Sequence, residues 1–273
     1  MDGLFTFRHV CFQNLQSPED GGAINFREDG NLLVEECIFV EVSSKKEGGA
    51  LFADTTFHVL IRNCLYERCH SCVLEANRGG NAMMLKNLSL TLESCGLFHC
   101  YYSEENPGDI PIYGEISSVR ILLTNFSYNI GYNDIPSHVT GSSSTEIVCS
   151  DAYTDYSLFA HGDAFRVIDL DGNATIRRSC FIKNRGNCIF SDAGFMEVRN
   201  CHLYENQCQF RQDKMTTIIA IDCFGDLEFE GVSSAPMDTP NIRPLGFYRP
   251  TKRRFPSGAR RFGAALTLCF SLQ

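Results

Sequence analysis

Between residues 151 and 171 the chain gathers Asp151, Asp155, His161, Asp163, Asp169 and Asp171, with Arg177 and Arg178 close behind. Two carboxylates held a fixed distance apart across a groove are what glycoside hydrolysis needs, one as acid and one as base or nucleophile. Clustered acids holding calcium beside an arginine base would serve polysaccharide elimination instead. Asp151, Asp155, His161, Asp163 and Arg177 are therefore the catalytic candidates. Against them, the chain has no Asp-Asp pair and no Arg-x-Lys, and Ala160-His161-Gly162-Asp163 is the one local match to a polysaccharide-hydrolase motif. The plainer reading is a set of solvated acids on an outer face.

A second candidate chemistry is metal binding. Cys69-His70-Ser71-Cys72 stands among Cys64, Cys95, His99 and Cys100. A C-x-x-C with a nearby histidine is half of a structural zinc site, which needs two well-spaced pairs. Cys69, His70 and Cys72 are the metal candidates, and no cofactor is otherwise implied.

The positions of the 14 cysteines say more. Seven segments repeat an alternating apolar run, a polar bend residue, usually a cysteine, and another apolar pair. They run Leu32-x-Val34-x-Glu36-Cys37, Val59-x-Ile61-x-Asn63-Cys64, Leu90-x-Leu92-x-Ser94-Cys95, Ile121-x-Leu123-x-Asn125-Phe126, Thr175-x-Arg177-x-Ser179-Cys180, Met196-x-Val198-x-Asn200-Cys201 and Ile218-x-Ala220-x-Asp222-Cys223. Most neighbours lie 21 to 31 residues apart, with one longer gap between the fourth and fifth. A cysteine recurring at one structural position reads first as a small buried hydrophobe in a stacked column. Stacking also places Cys64 over Cys95 and Cys69 over Cys100, so the cysteine cluster arises without metal or disulfide.

Apolar alternation before each cysteine is strand periodicity, and the bend residue ends one strand and begins another. Gly21-Gly22-Ala23-Ile24 and Gly48-Gly49-Ala50-Leu51 then start a new apolar segment after a glycine turn, and Gly162-Asp163-Ala164-Phe165 and Gly186-Asn187-Cys188-Ile189 are assigned the matching place. No segment has helical periodicity. Units of this length, each burying its apolar face against the next, predict an all-β, right-handed parallel β-helix over residues 1–232. Weaker coils are expected at Cys11 and Cys149. Tyr101–Asp109 and Ile130–Thr145 are insertions on one edge. The Pro- and Arg-rich segment 233–273 is expected to be an irregular, basic tail.

Net charge is −9, yet no acidic residue follows Asp238 while seven basic ones do, which leaves 17 basic against 33 acidic residues in the body. An acidic body is a poor partner for phosphate backbones, so nucleic acid is not expected. No apolar run is long enough for a transmembrane helix. The opening residues lack a signal-peptide pattern, and the compartment is left open. Asn87-Leu88-Ser89, Asn125-Phe126-Ser127 and Asn173-Ala174-Thr175 match the glycosylation triplet.

The pairing of Gly-Gly-Ala-Ile/Leu (Gly21–Ile24, Gly48–Leu51) with Phe-x-x-Asn (Phe126–Asn129, Phe181–Asn184) resembles the polymorphic outer-membrane protein repeats, a surface β-helix family. In physical terms an inward phenylalanine fills the coil, and Asn129 and Asn184 can stack their amides into a hydrogen-bonded ladder. The resemblance implies surface display and adhesion: a non-enzymatic module that meets a protein or glycan partner on an outer face, with an extracellular setting. The pectin-lyase-like enzymes share this fold and supply the alternative, a carbohydrate-active or carbohydrate-binding protein. Tyr101, Tyr102, Tyr113, Tyr128, Tyr132, Tyr153 and Tyr156 could then stack on sugars.

Overall fold

The computed structural model describes residues 3–54, 57–72, 80–100, 112–129, 145–148, 151–155, 158–160, 163–170, 173–191, 195–211, 217–225 and 232–233. These residues form a parallel β-solenoid, and no helix occurs among them.

The first rung is β1 (Gly3–Arg8), β2 (Cys11–Ser17) and β3 (Ile24–Phe26). The second is β4 (Gly30–Glu35), β5 (Ile38–Ser44) and β6 (Leu51–Asp54), and the third opens with β7 (His58–Arg62), β8 (Leu65–Glu67) and β9 (His70–Ser71). Next come β10 (Met83–Glu93), β11 (Gly96–Phe98), β12 (Ile112–Leu122), β13 (Asn125–Ser127) and β14 (Thr145–Val148). Then follow β15 (Asp151–Asp155), β16 (Leu158–Ala160), β17 (Asp163–Leu170), β18 (Asn173–Arg177), β19 (Cys180–Ile182) and β20 (Arg185–Ser191). The last are β21 (Phe195–Arg199), β22 (His202–Tyr204), β23 (Gln207–Arg211), β24 (Thr217–Ile221), β25 (Cys223–Gly225) and β26 (Val232–Ser233).

Like positions stack on like, giving three faces. The first face runs β1-β4-β7, through the second halves of β10 and β12, to β15-β18-β21-β24. The second face is the 11-stranded sheet led by β2, β5, β8, β11 and β13. The third runs β3-β6, through the first halves of β10 and β12, to β14-β17-β20-β23. Because β10 and β12 turn the corner between faces without a break, the first and third faces join as one 15-stranded sheet. In β10 the corner is a bulge at Asn87, whose φ is 57°.

The period-two pattern decides what lies inside. Leu32, Val59, Leu90 and Val119 form one interior line, and Val34, Ile61, Leu92 and Ile121 the next; all are buried. From the second face, Phe12, Phe39 and Tyr66 stack ring on ring, with centroids 4.9 and 4.5 Å apart, and Leu97 and Phe126 extend the line. A fully buried aromatic of this kind contributes roughly 1.5–3 kcal/mol by leaving water. Strand spacing of about 4.8 Å puts rings at stacking distance without further adjustment.

The glycine pairs follow from close backbone approach. Gly21, Gly48 and Gly80 share the left-handed conformation, with φ of 64°, 66° and 53°. A Cβ on Gly22 would overlap the carbonyl oxygen of Gly49, and one on Gly49 that of Asn81. The third copy is thus Gly80-Asn81-Ala82-Met83, with Met83 paired to Leu51. Gly162-Asp163 and Gly186-Asn187 do not take this place. Ile168 is the residue in line with Leu51 through Thr145, Ile112 and Met83, so Phe165 falls where the glycine would be.

The register departs from expectation in two of the cysteine copies. In the fourth, Val119 and Ile121 take the interior positions, Leu123 is the bend, and Thr124 rather than Phe126 holds the cysteine place. In the fifth, Cys180 pairs with Leu158 and His202, which puts Ser179 in the cysteine line and Cys180 one residue beyond it. The long gap holds an additional rung: β15 and β16 pair with β12 and β13 on one side and β18 and β19 on the other. At the first rung Val10, not Cys11, is in line with Cys37, since Cys11 pairs with Ile38.

Candidate interaction ridge

Among the described residues the two sharp corners of a rung are turned through a single left-handed residue, and the residue immediately after it accounts for most of the cysteines. At the corner between first and second faces the left-handed residues are His9, Glu36, Asn63, Ser94, Leu123, Arg178, Asn200 and Asp222. The next residue points inward, and in every copy but Val10 its thiol or hydroxyl donates to the carbonyl two residues back. Cys37 reaches Glu35 O at 3.3 Å, Cys64 reaches Arg62 O at 3.2 Å and Cys95 reaches Glu93 O at 3.3 Å. Thr124 and Ser179 make the same bond at 2.9 and 2.8 Å, which is why they substitute for cysteine. Sulfur also accepts: the amide of Cys37 donates to Cys64 Sγ at 3.4 Å. Burial pushes the Cys64 and Cys201 thiols well up, so they stay protonated donors. Cys37 and Cys223 move the other way, drawn down by hydrogen bonds from Cys64 and Cys201.

The corner leaving the second face is built alike, with Asn14, Glu41, Arg68, His99, Tyr128, Lys183 and Glu205 left-handed. Behind them Cys69, Cys100, Asn129 and Asn184 are buried. Asn129 Oδ1 accepts the Cys100 amide at 2.9 Å while its Nδ2 donates to Leu97 O at 3.0 Å. Asn206 Oδ1 accepts both the Asn184 amide and its Nδ2 at 3.0 Å, and Asn206 Nδ2 donates to Phe181 O at 2.8 Å. Cysteine and asparagine share this line because both donate to a carbonyl of the previous rung: Cys69 Sγ reaches Phe39 O at 3.5 Å and Cys100 Sγ reaches Tyr66 O at 3.7 Å. Burial lifts the Cys69 thiol well above its ordinary range.

The left-handed residues themselves point outward and form a ridge. Arg68 Nε reaches Glu41 at 3.0 Å and Arg68 also pairs with Glu67; Lys183 meets Glu205 at 3.3 Å. Between them the His99 and Tyr128 rings stack at 5.2 Å, with Tyr128 exposed. Partial burial holds His99 below its ordinary value, with Glu67 opposing and Arg68 adding to that shift, so the ring is neutral near pH 7. Of the expected insertions, 101–109 lies outside the described residues, as does 130–145 apart from Thr145, which opens β14. The first face carries ordered polar stacks: Glu35 bridges Arg8 at 2.6 Å and Arg62 at 2.5 Å, and His58 Nδ1 lies 2.8 Å from Ser89 Oγ.

Of the catalytic candidates, Asp151 and Asp155 begin and end β15, and Asp155 stands beside Arg177 in register. Asp163 opens β17, beside Arg185 on the third face and away from β15. Arg177 lies on the first face, 3.5 Å from Glu197. His161 lies outside the described residues, as do Tyr101, Tyr102, Tyr132 and Tyr156, Cys149 and the segment 234–273. Of the metal candidates, Cys69 is buried inside while Cys72, beyond β9, is partly exposed. His70 is the first residue of β9 and pairs in register with Ser43, following the interior Cys69 in sequence. Among the described residues no group of three or more His, Cys, Asp or Glu side chains could hold a metal ion. The ridge was not foreseen from the sequence, although its signal was present: one polar or aromatic residue before each inward Cys or Asn.

Comparison with protein-family models, with curated proteins and with solved structures finds no match to this chain.

Proposed function

We propose that this solenoid is a non-enzymatic, adhesin-like interaction module whose partner, a protein or a glycan, is met along the ridge Glu41–Arg68–His99–Tyr128. One observation carries the reading: the His99–Tyr128 stack is held outward on left-handed residues whose neighbours are locked into the core by Cys100 and Asn129. Exposed aromatic and charged side chains on so rigid a base lose little entropy on binding, which favours recognition. Kinship with the polymorphic outer-membrane repeats belongs to the same proposal. It is supported by the physical necessity of both motifs, the glycine pair at a backbone contact and the buried Phe with its hydrogen-bonded Asn. A cell-surface setting follows from that kinship.

The stacked His99–Tyr128 rings also favour the alternative that the partner is carbohydrate, since sugars pack on aromatic faces. The test uses beads coated with the full chain and a panel of acidic polysaccharides. Bead adhesion to cultured epithelial cells, and retention of each polysaccharide, would be compared with Tyr128→Ala, Arg68→Glu and, on the first face, Arg199→Ala. The ridge variants should lose binding about ten-fold at unchanged melting temperature, the cost of one good contact, and Arg199→Ala should not. Cell adhesion without polysaccharide retention selects a protein partner. Release of cleaved polysaccharide, or binding indifferent to both ridge variants, would overturn the proposal.

A further inference from the structure

Stacking of the rungs sets buried thiols directly across from one another. At the corner between first and second faces, Ile38 pairs with Leu65 and Leu65 with Gly96, which puts Cys37 opposite Cys64 and Cys64 opposite Cys95. Farther along, His202 pairs with Phe224, so Cys201 stands opposite Cys223. At the corner leaving the second face, Glu67 pairs with Phe98, and Cys69 and Cys100 follow in the same place behind Arg68 and His99. All seven thiols are buried. Each sulfur leans toward the rung before it. Cys64 Sγ lies 3.4 Å from the Cys37 amide nitrogen, Cys100 Sγ 3.7 Å from Tyr66 O and Cys223 Sγ 3.4 Å from Val198 O. Residues in register on neighbouring strands are about 4.8 Å apart, inside the Cα separation of about 4.4–6.8 Å that a disulfide spans.

We propose that these columns are oxidation sites, in which Cys37–Cys64, Cys69–Cys100 and Cys201–Cys223 close into disulfides that staple successive rungs. Cys64 can form only one bond. Its sulfur touches the Cys37 backbone, which selects Cys37 and leaves Cys95 a thiol. In two of the pairs one sulfur ionises readily beside a protonated one: the hydrogen bond from Cys64 draws the Cys37 thiol down, and that from Cys201 draws the Cys223 thiol down to about 7. The oxidant is a small-molecule disulfide of the glutathione type. A protein thiolate attacks one sulfur of that disulfide, forming a mixed disulfide and releasing one glutathione. The partner thiol then attacks the protein sulfur of the mixed disulfide, and its proton goes to the second glutathione as it leaves. Each staple thus oxidises two thiols and reduces one glutathione disulfide. Because the folded interior shuts out the reagent, exchange takes place while the rungs are still packing. The Cys69–Cys100 bond also ties together the two rungs whose corners carry Arg68 and His99.

The test refolds the full 273-residue chain from the reduced, denatured state, either in mixed oxidised and reduced glutathione or in reduced glutathione alone. Remaining thiols are alkylated in denaturant before non-reducing peptide mapping. Mapping should find the three named disulfides with Cys95 alkylated, and the oxidised chain should melt about 5–15 °C above the reduced one. Cys64→Ser and Cys223→Ser should each remove one disulfide and about a third of that gain. Serine already fills this corner at Ser179, where its hydroxyl bonds Arg177 O at 2.8 Å, so both variants keep the fold when reduced, checked by far-ultraviolet circular dichroism. Buried cysteines that all stay thiols in oxidised glutathione, disulfides that join other pairs, or a melting temperature indifferent to redox state would overturn the proposal.

Discussion

Replacing Asn129 by leucine removes one side chain and orphans two backbone groups. The side chain is fully buried, accepts the Cys100 amide at 2.9 Å and donates to the Leu97 carbonyl at 3.0 Å. Leucine fills nearly the same volume, so little of the effect comes from a cavity. An unsatisfied buried backbone group costs about 1–3 kcal/mol, which gives about 2–6 kcal/mol for the two. Burying a leucine instead of an amide offsets about a third of that, leaving a net loss of about 1–4 kcal/mol. In a body of this size that lowers the melting temperature by about 3–15 °C in a calorimetric or circular-dichroism melt. Because each rung touches mainly its neighbours, hydrogen exchange at the Cys100 amide should accelerate most. Asn129→Cys is the decisive companion. Cysteine is already used in this line at Cys69 and Cys100, where sulfur bonds the carbonyls of Phe39 and Tyr66 in the previous rung at 3.5 and 3.7 Å, so the substitution should cost less than half as much. A leucine variant as stable as the parent, or a cysteine variant as damaged as the leucine one, would refute the hydrogen-bonding role assigned to this column.

Tyr66 sits in the aromatic stack fully buried, and its hydroxyl has no hydrogen-bond partner among the described residues, so Tyr66→Phe should raise stability by about 1 kcal/mol; an equal loss in a urea titration would contradict this. Burial holds His58, His70, His99 and His202 below the ordinary 6.5. The unfolded chain therefore takes up protons that the folded chain refuses, so this stability is complete above 6.5 and is lost as pH falls through 6.5 towards the lower folded values. Melting temperature should decline over that window, and less steeply in His202→Phe, whose ring lies between Tyr204 and Phe224; a flat profile in the parent chain would sink the argument. A soluble thiol reagent followed by peptide mapping should label exposed Cys11 within minutes, while Cys37, Cys64, Cys69, Cys95, Cys100, Cys201 and Cys223 react only in denaturant. Rapid native labelling of Cys64 or Cys95 would mean the interior is open.

The period of the fold was legible because burial enforces it: Leu32-x-Val34, Val59-x-Ile61 and Leu90-x-Leu92 admit only one alternation, and a slip by one residue would turn every side chain over. The stacking of Cys64 on Cys95 followed from the same spacing. The misread rungs are those where the marker residue changes. Thr124 and Ser179 perform the hydrogen bond of the cysteine without its letter, and the nearest look-alikes, Phe126 and Cys180, drew the register two residues and one residue too far. Gly80 was missed for a related reason. Its partner is Asn81 rather than a second glycine, and the Asn81 Oδ1 accepts the Ser71 amide at 3.4 Å, so the turn persists while its Gly-Gly signature is lost.

What identifies a corner is therefore neither cysteine nor glycine but a pair of requirements. One residue must accept a left-handed backbone with its side chain in water, and the next points inward: from the third rung on it is small or amide-bearing and able to bond, while Val10, Leu15 and Val42 fill the place by packing alone. The first requirement selects weakly, since Glu36, Arg68, His99, Leu123 and Tyr128 all meet it. That weakness is what makes the corner useful. Chemistry along the ridge can vary from rung to rung without disturbing the core, while the residue behind it is fixed by the backbone of the rung before. A surface composed in this way separates the part of the sequence that folds from the part that can be recognised, and it places the two one residue apart.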